Sequence, residues 1–278
     1  MLSANDKKIQ NLTTAVHEVL NNKQFAAENE YLMTKFNIST EEIVDAYIEY
    51  DLDIFSYSNE IYGATTNRLV LHLHNQLKNS WHIDRQNIVE RFIQELNCQH
   101  MADIGFGVPQ QYLKNFLTKE QKDQFDLTKT ITLIDFEKSA LEFAATLLHL
   151  WNPTWSQYIS LQQQDMTILC ERKQILAEYD LLIFQDSIEH VPDPSTCLKS
   201  FVSNSKNSAK FLLSLPIGSL IPSHHIEWKD IPESKNWLAE CGLAVTDYSC
   251  TSVNPAVDLF AEQLNYNLTN YIVVCQKL

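Results

Sequence analysis

The chain has 278 residues, 45% of them hydrophobic and 20% charged, and a formal net charge of −14. That length and apolar content supply a core for one large α/β domain, or for a domain with a smaller appendage. No apolar run approaches the roughly 18 residues that span a bilayer. The acidic balance argues against long nucleic acid as a partner, since phosphate neutralisation asks for a basic stripe, and Lys7-Lys8 and Arg172-Lys173 are too short to make one.

Residues 1–97 read as helical and poor in glycine. Ile9, Leu12, Val16 and Val19 recur at three- and four-residue intervals. Ser39-Thr-Glu-Glu42 has the wording of a capping box, opening a helix that carries Ile43, Ala46, Tyr47 and Tyr50. Leu69, Val70, Leu73 and Leu77 form another stripe, and Asp84 is expected to cap a helix that buries Ile88, Phe92 and Leu96. Four or five helices therefore precede the first strand. His72 and His74 read as structural or exposed, because a two-residue spacing does not bring ligands together on a helix.

From residue 98 the rhythm changes to strand, turn, helix. Strands are predicted at His100–Ile104, Thr130–Ile134, Gln157–Leu161, Tyr179–Gln185, Lys210–Leu215, Ala244–Ser249 and Tyr271–Gln276. Helices are predicted at Gln110–Leu117, Glu137–Leu150, Glu171–Ala177 and Ser195–Asn204. This alternation implies an α/β fold, a parallel sheet with right-handed crossovers and helices on both faces. The last two strands lack an intervening helical period and are expected to close the sheet as an antiparallel pair. The division expected is a helical segment, 1–97, followed by a ligand-binding domain, 98–278.

The chain has five glycines, and two of them, Gly105 and Gly107, stand one residue apart after an apolar run and before a helix. Such a turn needs residues that tolerate unusual torsions and let a ligand approach the backbone. Asp135 ends the next apolar run, where an acid can accept hydrogen bonds from both hydroxyls of a ribose. Together they point to a nucleoside-containing cofactor. The six cysteines include no C-x-x-C pair and read as reduced core thiols. The start of the chain, Met1-Leu-Ser-Ala-Asn-Asp-Lys-Lys8, lacks the apolar core of a signal peptide, so a cytoplasmic location is expected.

The succession Asp103-Ile-Gly-Phe-Gly107, Leu133-Ile-Asp135, Gln164-Asp165-Met166 and Glu178-Tyr-Asp-Leu-Leu-Ile-Phe-Gln-Asp-Ser-Ile-Glu-His-Val-Pro-Asp-Pro194 resembles the class I S-adenosylmethionine-dependent methyltransferases over about residues 98–278. The resemblance implies a Rossmann-like, seven-stranded mixed sheet in the order 3-2-1-4-5-7-6, with strand seven antiparallel. It also implies S-adenosyl-L-methionine as cofactor. Gly105 and Gly107 would line its methionine part, with Asp103 acting through a polar network near the amino group. Asp135 would hold the ribose and Phe136 would face the adenine; Asp165 would accept from the adenine amino group and Met166 would cover the ring. Gln185 and Asp186 would face the amino-acid end and the substrate cavity. Pro109 stands where the family usually has a third glycine, so an altered but functional loop is expected.

A narrower resemblance concerns metal. Asp186-Ser-Ile-Glu-His190 and His224-His-Ile-Glu-Trp228 are similar to elements of the small-RNA 3′-end 2′-O-methyltransferases that bind a divalent ion. By that similarity Asp186, Glu189, His190 and His224 would be the ligands, a set suited to manganese, iron or zinc. Asp186 stands where that group has Glu, Ile226 replaces an aromatic, and no F-x-P-P element is present.

Methyl transfer from an activated sulfonium needs alignment and, for a protonated acceptor, a base. His190, His224 and His225 are the candidates. Tyr57, Tyr62 and Trp228, with the loop Ser56–Thr66 around Gly63 and the stretch Pro216–Pro222, are the expected acceptor-binding groups. The function expected is methyl transfer to a hydroxyl or amine of a small metabolite, natural-product or amino-acid-derived. The alternatives are an RNA- or peptide-modifying metal-dependent methyltransferase and a non-catalytic, cofactor-binding regulatory partner.

Overall fold

The computed structural model of the chain describes residues 3–52, 64–77, 81–118, 129–218, 223–252 and 269–278. Helices α1 (Ala4–Leu20), α2 (Ala26–Phe36), α3 (Thr40–Leu52), α4 (Thr65–Leu77) and α5 (Trp81–Leu96) precede the first strand. The box before α3 is reciprocal: the Ser39 amide donates to Glu42 at 2.7 Å, and the Glu42 amide donates to Ser39 Oγ at 3.1 Å. Asp84 is not a cap. Helix α5 begins at Trp81, so Asp84 lies in its first turn, where a negative charge suits the helix dipole.

Seven strands follow: β1 (His100–Ile104), β2 (Thr130–Asp135), β3 (Ile159–Gln163), β4 (Leu181–Gln185), β5 (Lys210–Ile217), β6 (Leu243–Ser252) and β7 (Thr269–Lys277). Their order is β3-β2-β1-β4-β5-β7-β6, as the family resemblance implied. The pairs among β1 to β5 are parallel, and β7 runs antiparallel to both β5 and β6. Strand β3 starts two residues later than predicted because Trp155–Gln157 is a 3₁₀ turn.

Between the strands lie α6 (Gln111–Leu117), α7 (Lys138–Trp151), α8 (Met166–Leu169), α9 (Lys173–Leu176), α10 (Pro194–Asn204) and α11 (Ile231–Glu240). The single helix expected at Glu171–Ala177 is two short ones. Helix α11 was not anticipated, although Asp230-Ile-Pro-Glu233 announces it: Asp230 accepts from the Glu233 amide at 2.8 Å, and proline stands in the first turn.

The period of two along the strands sorts side chains onto two faces. Ala102, Ile104, Leu182, Phe184, Leu213, Tyr271 and Val273 pack with Leu198 and Phe201 of α10 and Leu238 of α11. Met101, Leu181, Ile183, Leu212, Ile272 and Val274 pack with Val89 and Phe92 of α5, Leu113 of α6 and Ala144 of α7. Helix α5 therefore belongs to the layer covering the sheet. Leu12, Val16, Leu32, Ile43, Tyr47, Leu69 and Leu73 form a third core, closed by Val108, Phe143 and Leu147. His72 and His74 are buried. All six cysteines are free thiols, five buried and Cys250 exposed. No helix among the described residues is long and apolar enough to cross a membrane.

Candidate cofactor and metal site

The sheet order reverses between β1 and β4, and in open α/β sheets ligands gather outside the carboxyl ends of the strands at such a point. Gly105 and Gly107 sit there with φ of 70° and 62°. A Cβ on Gly105 would stand 2.8 Å from Ser187 Cβ and 2.9 Å from Met166 Cε, so only glycine lets the three segments meet. Gly107 donates its amide to Asp135 Oδ2 at 3.0 Å, and the Glu137 amide reaches Asp135 Oδ1 at 3.0 Å. Pro109 precedes α6 instead of entering its first turn, and Gln110 Nε2 donates to the Val108 carbonyl at 2.9 Å across it.

Behind this turn, Asp103 is wholly buried. Its Oδ2 accepts from Tyr112 Oη at 2.7 Å and Gln185 Nε2 at 3.0 Å, and Gln185 in turn accepts from Gln86 of α5 at 3.1 Å. Oδ1 has no protein partner. Burial pushes the Asp103 carboxyl up to about 6, against the two hydrogen bonds that favour its charge. A buried acceptor with spare capacity, next to a turn that would exclude any Cβ, fits an ammonium-bearing cofactor.

After β4 the backbone turns at Asp186, whose φ is 48°. Its carboxylate is already engaged: Arg85 of α5 pairs with Oδ2, Ser214 Oγ donates to Oδ1 at 2.6 Å, and Asn270 Nδ2 donates to Oδ2 at 3.2 Å. Of the four expected ligands, Glu189, His190 and His224 bring one ligand atom each within 4.8 Å of one another, and Asp186 is not in that group. Glu189 is 0% exposed and neither of its carboxylate oxygens has a hydrogen-bond partner. Burial, then the nearby Asp186 charge, holds its carboxyl well above the usual range. His190 Nδ1 lies 3.2 Å from the Ser223 carbonyl, which can only accept, so the proton sits on Nδ1 and Nε2 keeps its lone pair. The His190 and His224 rings meet edge to face at 4.7 Å. Burial lowers both imidazoles, and the neighbouring histidines take His224 down to about 3, so both are neutral near pH 7, the form that ligates metal. One unpartnered, buried carboxyl group and two neutral imidazoles fit a divalent transition metal.

The remaining expected residues divide. Phe136, the residue after β2, is 59% exposed, and Met166 lies half-buried against the Gly105 turn. Asp165 caps α8, accepting from the Thr167 amide at 2.8 Å and its hydroxyl at 2.7 Å. His225 has an exposed side chain and donates its amide to the Glu189 carbonyl at 2.7 Å. Trp228, expected at the acceptor pocket, is a core residue at 1% exposure, its ring 4.9 Å from that of Trp237 at a tilt of 58°, and it bridges to Ile217 at the end of β5. Tyr57, Tyr62, Gly63 and residues 219–222 lie outside the described residues. Arg85 and Gln86 were missed. Their signal was a cation on the apolar stripe of α5, at Arg85, Val89 and Phe92.

No family model matches the chain, and no curated protein matches it. Solved structures do. The cyclase SpnF superposes with a TM-score of 0.52 at 12% identity, over 72% of this chain and 83% of that one. The methyltransferase domain of bacterial CtHen1 gives 0.50 at 20%, over 71% of this chain and 100% of that one. The mitomycin 7-O-methyltransferase MmcR gives 0.52 at 12%, over 86% and 70%. The chain has the fold of the class I S-adenosylmethionine-dependent methyltransferases.

Proposed function

We propose that this protein is an S-adenosylmethionine-dependent methyltransferase acting on a hydroxyl or amine of a small metabolite, with a divalent metal ion beside the acceptor. The observation that carries the reading is the convergence of the Gly105–Gly107 turn and the Asp135 carboxylate at the point where the sheet order reverses. Fold alone assigns no chemistry, and SpnF is a cyclase by name.

In this reading the turn and Asp103 take the amino-acid end of the cofactor, Asp135 takes the ribose, and Phe136 and Met166 enclose the adenine. The bound sulfonium supplies an already activated methyl group. The chain's part is to exclude water, align the acceptor and hold its departing proton. Glu189, His190 and His224 would hold the metal. His224, held near 3, is a weak base and a good ligand, and His190 would be engaged by the metal as well, which leaves His225 for proton transfer. The N-terminal segment, 1–97, would cover the acceptor side of the domain formed by 98–278.

A second reading is favoured by one specific observation. The Glu189–His190–His224 cluster and the His224–Trp228 wording belong together as in the metal-dependent RNA-modifying group. The net charge of −14 weighs against RNA. Transfer of labelled methyl from S-adenosylmethionine to fractionated metabolites, against short RNA 3′ ends, tests both. Label in metabolites alone supports the first reading, label in RNA the second, and label in neither contradicts both.

A further inference from the structure

Between the N-terminal helices and the helical layer on the sheet lies a cavity of about 300 Å³, at the small end of the range for ligand sites, roughly 300–1,000 Å³. Its walls come from the head of α2 and from α4, α5 and α6, with Trp151 at the end of α7. No residue assigned above to the cofactor or the metal is among the described residues that line it. Eight of those fifteen residues are Asn or Gln, and Glu28 is the one Asp, Glu, Lys or Arg among them. Glu28 is already paired: Oε1 accepts from Trp151 Nε1 at 2.6 Å and Oε2 from Lys114 Nζ at 3.4 Å. The polar wall is therefore built of carboxamides, each able to donate and to accept, with no carboxylate, ammonium or guanidinium left unpaired in it.

One of these carboxamides has its orientation fixed from behind. Gln185 donates Nε2 to Asp103 at 3.0 Å, so it turns Oε1 to Gln86, which donates its own Nε2 at 3.1 Å. Gln86 is left with Oε1, an acceptor without a partner on a residue 5% exposed. A buried acceptor that lacks a donor costs about 1–3 kcal/mol, and the cavity that Gln86 lines is where a donor can enter. The other carboxamides converge from different helices: Asn75 on α4, Asn87 on α5, Gln111 and Asn115 on α6. Polar groups set all round suit hydroxyls that radiate from a ring, whereas a planar base carries its polar atoms along one edge. Phe25 and Trp151 supply aromatic surface for the C–H side of such a ring. We propose that this cavity is a second binding site, for a neutral polyhydroxylated molecule of sugar size, with Gln86 Oε1 accepting from one of its hydroxyls. The assignment stands apart from the cofactor reading.

Saturation-transfer NMR of the full chain with glucose, galactose and mannose tests the proposal, with glucuronate and uracil as charged and planar counterparts. At least one hexose is expected to bind with a Kd of about 1 mM or tighter. Glucuronate should bind at least about tenfold more weakly than that hexose, since its carboxylate finds no unpaired cation in the wall. Asn75→Leu and Asn87→Leu, on two different helices, should each weaken the hexose about 3- to 10-fold, the range for loss of a neutral hydrogen bond, while the melting temperature stays close to that of wild type. Asn87 is exposed, so Asn87→Leu carries the test if Asn75→Leu does not fold. Failure of all three hexoses to bind, a preference for glucuronate or uracil, or a hexose affinity in the folded variants equal to that of wild type overturns the proposal.

Discussion

Gly107 and Asp135, 28 residues apart in the chain, are joined by a 3.0 Å hydrogen bond from the amide of the first to the carboxylate of the second. The bond ties the turn after β1 to the end of β2 and fixes the width of the crevice between them. Asp135 accepts a second amide from Glu137. An ionised carboxylate offers about four lone-pair sites, so two remain for a pair of adjacent hydroxyls. The acid is held in place before any ligand arrives, which lowers the ordering cost of binding.

Gly105→Ala should destabilise the protein. An alanine would be forced into the φ of 70° and would press its Cβ on Ser187 and Met166. Left-handed torsion and overpacking together cost about 2–4 kcal/mol, a fall of about 5–10 °C in melting temperature for a chain of this size. Differential scanning calorimetry measures it. A melting temperature unchanged from wild type would show that the turn is looser than described.

Cofactor affinity should depend on pH through Asp103. Its carboxyl in the free protein is raised to about 6 by burial. An ammonium placed on Oδ1 favours the ionised form, so the pKa in the complex is lower and binding releases a proton near pH 6. Affinity for S-adenosylhomocysteine should therefore be flat above pH 7 and fall about tenfold per unit as pH drops below 6. Asp103→Asn should flatten the profile, and 5′-methylthioadenosine, which has no ammonium, should show none. A flat profile for S-adenosylhomocysteine on the wild-type protein would remove Asp103 from the site.

Metal uptake should separate two acids three residues apart. Glu189→Gln should abolish binding of manganese or zinc in equilibrium dialysis, because it removes the unpartnered buried carboxylate of the cluster. Asp186→Asn should leave uptake within about threefold, since an acid already paired elsewhere supplies no ligand. Equal loss in both variants would restore Asp186 as a ligand.

Arg85→Ala should lower stability by about 1–3 kcal/mol, by stranding a largely buried carboxylate that keeps only Ser214 and Asn270. Urea denaturation reads this as a lower midpoint at unchanged slope. A midpoint equal to that of wild type would mean that α5 is anchored by its apolar side alone.

The sheet was legible because its signals are local. Strands β1, β2, β4 and β5 are short apolar runs, and two of the scarce glycines mark the turn after the first of them. Asp135 was legible by its place at a strand end. Arg85 was not, since its partner lies 101 residues away and nothing near it in the chain specifies the pairing. For the same reason the pairing of Asp186 was not legible: its charge is written in the sequence and its neutralisation is not. Trp228 misled because an aromatic beside two histidines suggests a pocket wall, whereas Trp237, on a helix that went unread, draws it into the core.

The most direct test of the account is titration of the wild-type and Asp135→Ala proteins with S-adenosylhomocysteine by calorimetry. The account predicts one site per chain in the wild type and a loss of about 10- to 100-fold in the variant, with 5′-methylthioadenosine weakened equally because both ligands carry the ribose. A wild-type protein that takes up no S-adenosylhomocysteine, or a variant that binds it as tightly as the wild type, would contradict the central claim that the glycine turn and Asp135 together hold an adenosyl cofactor.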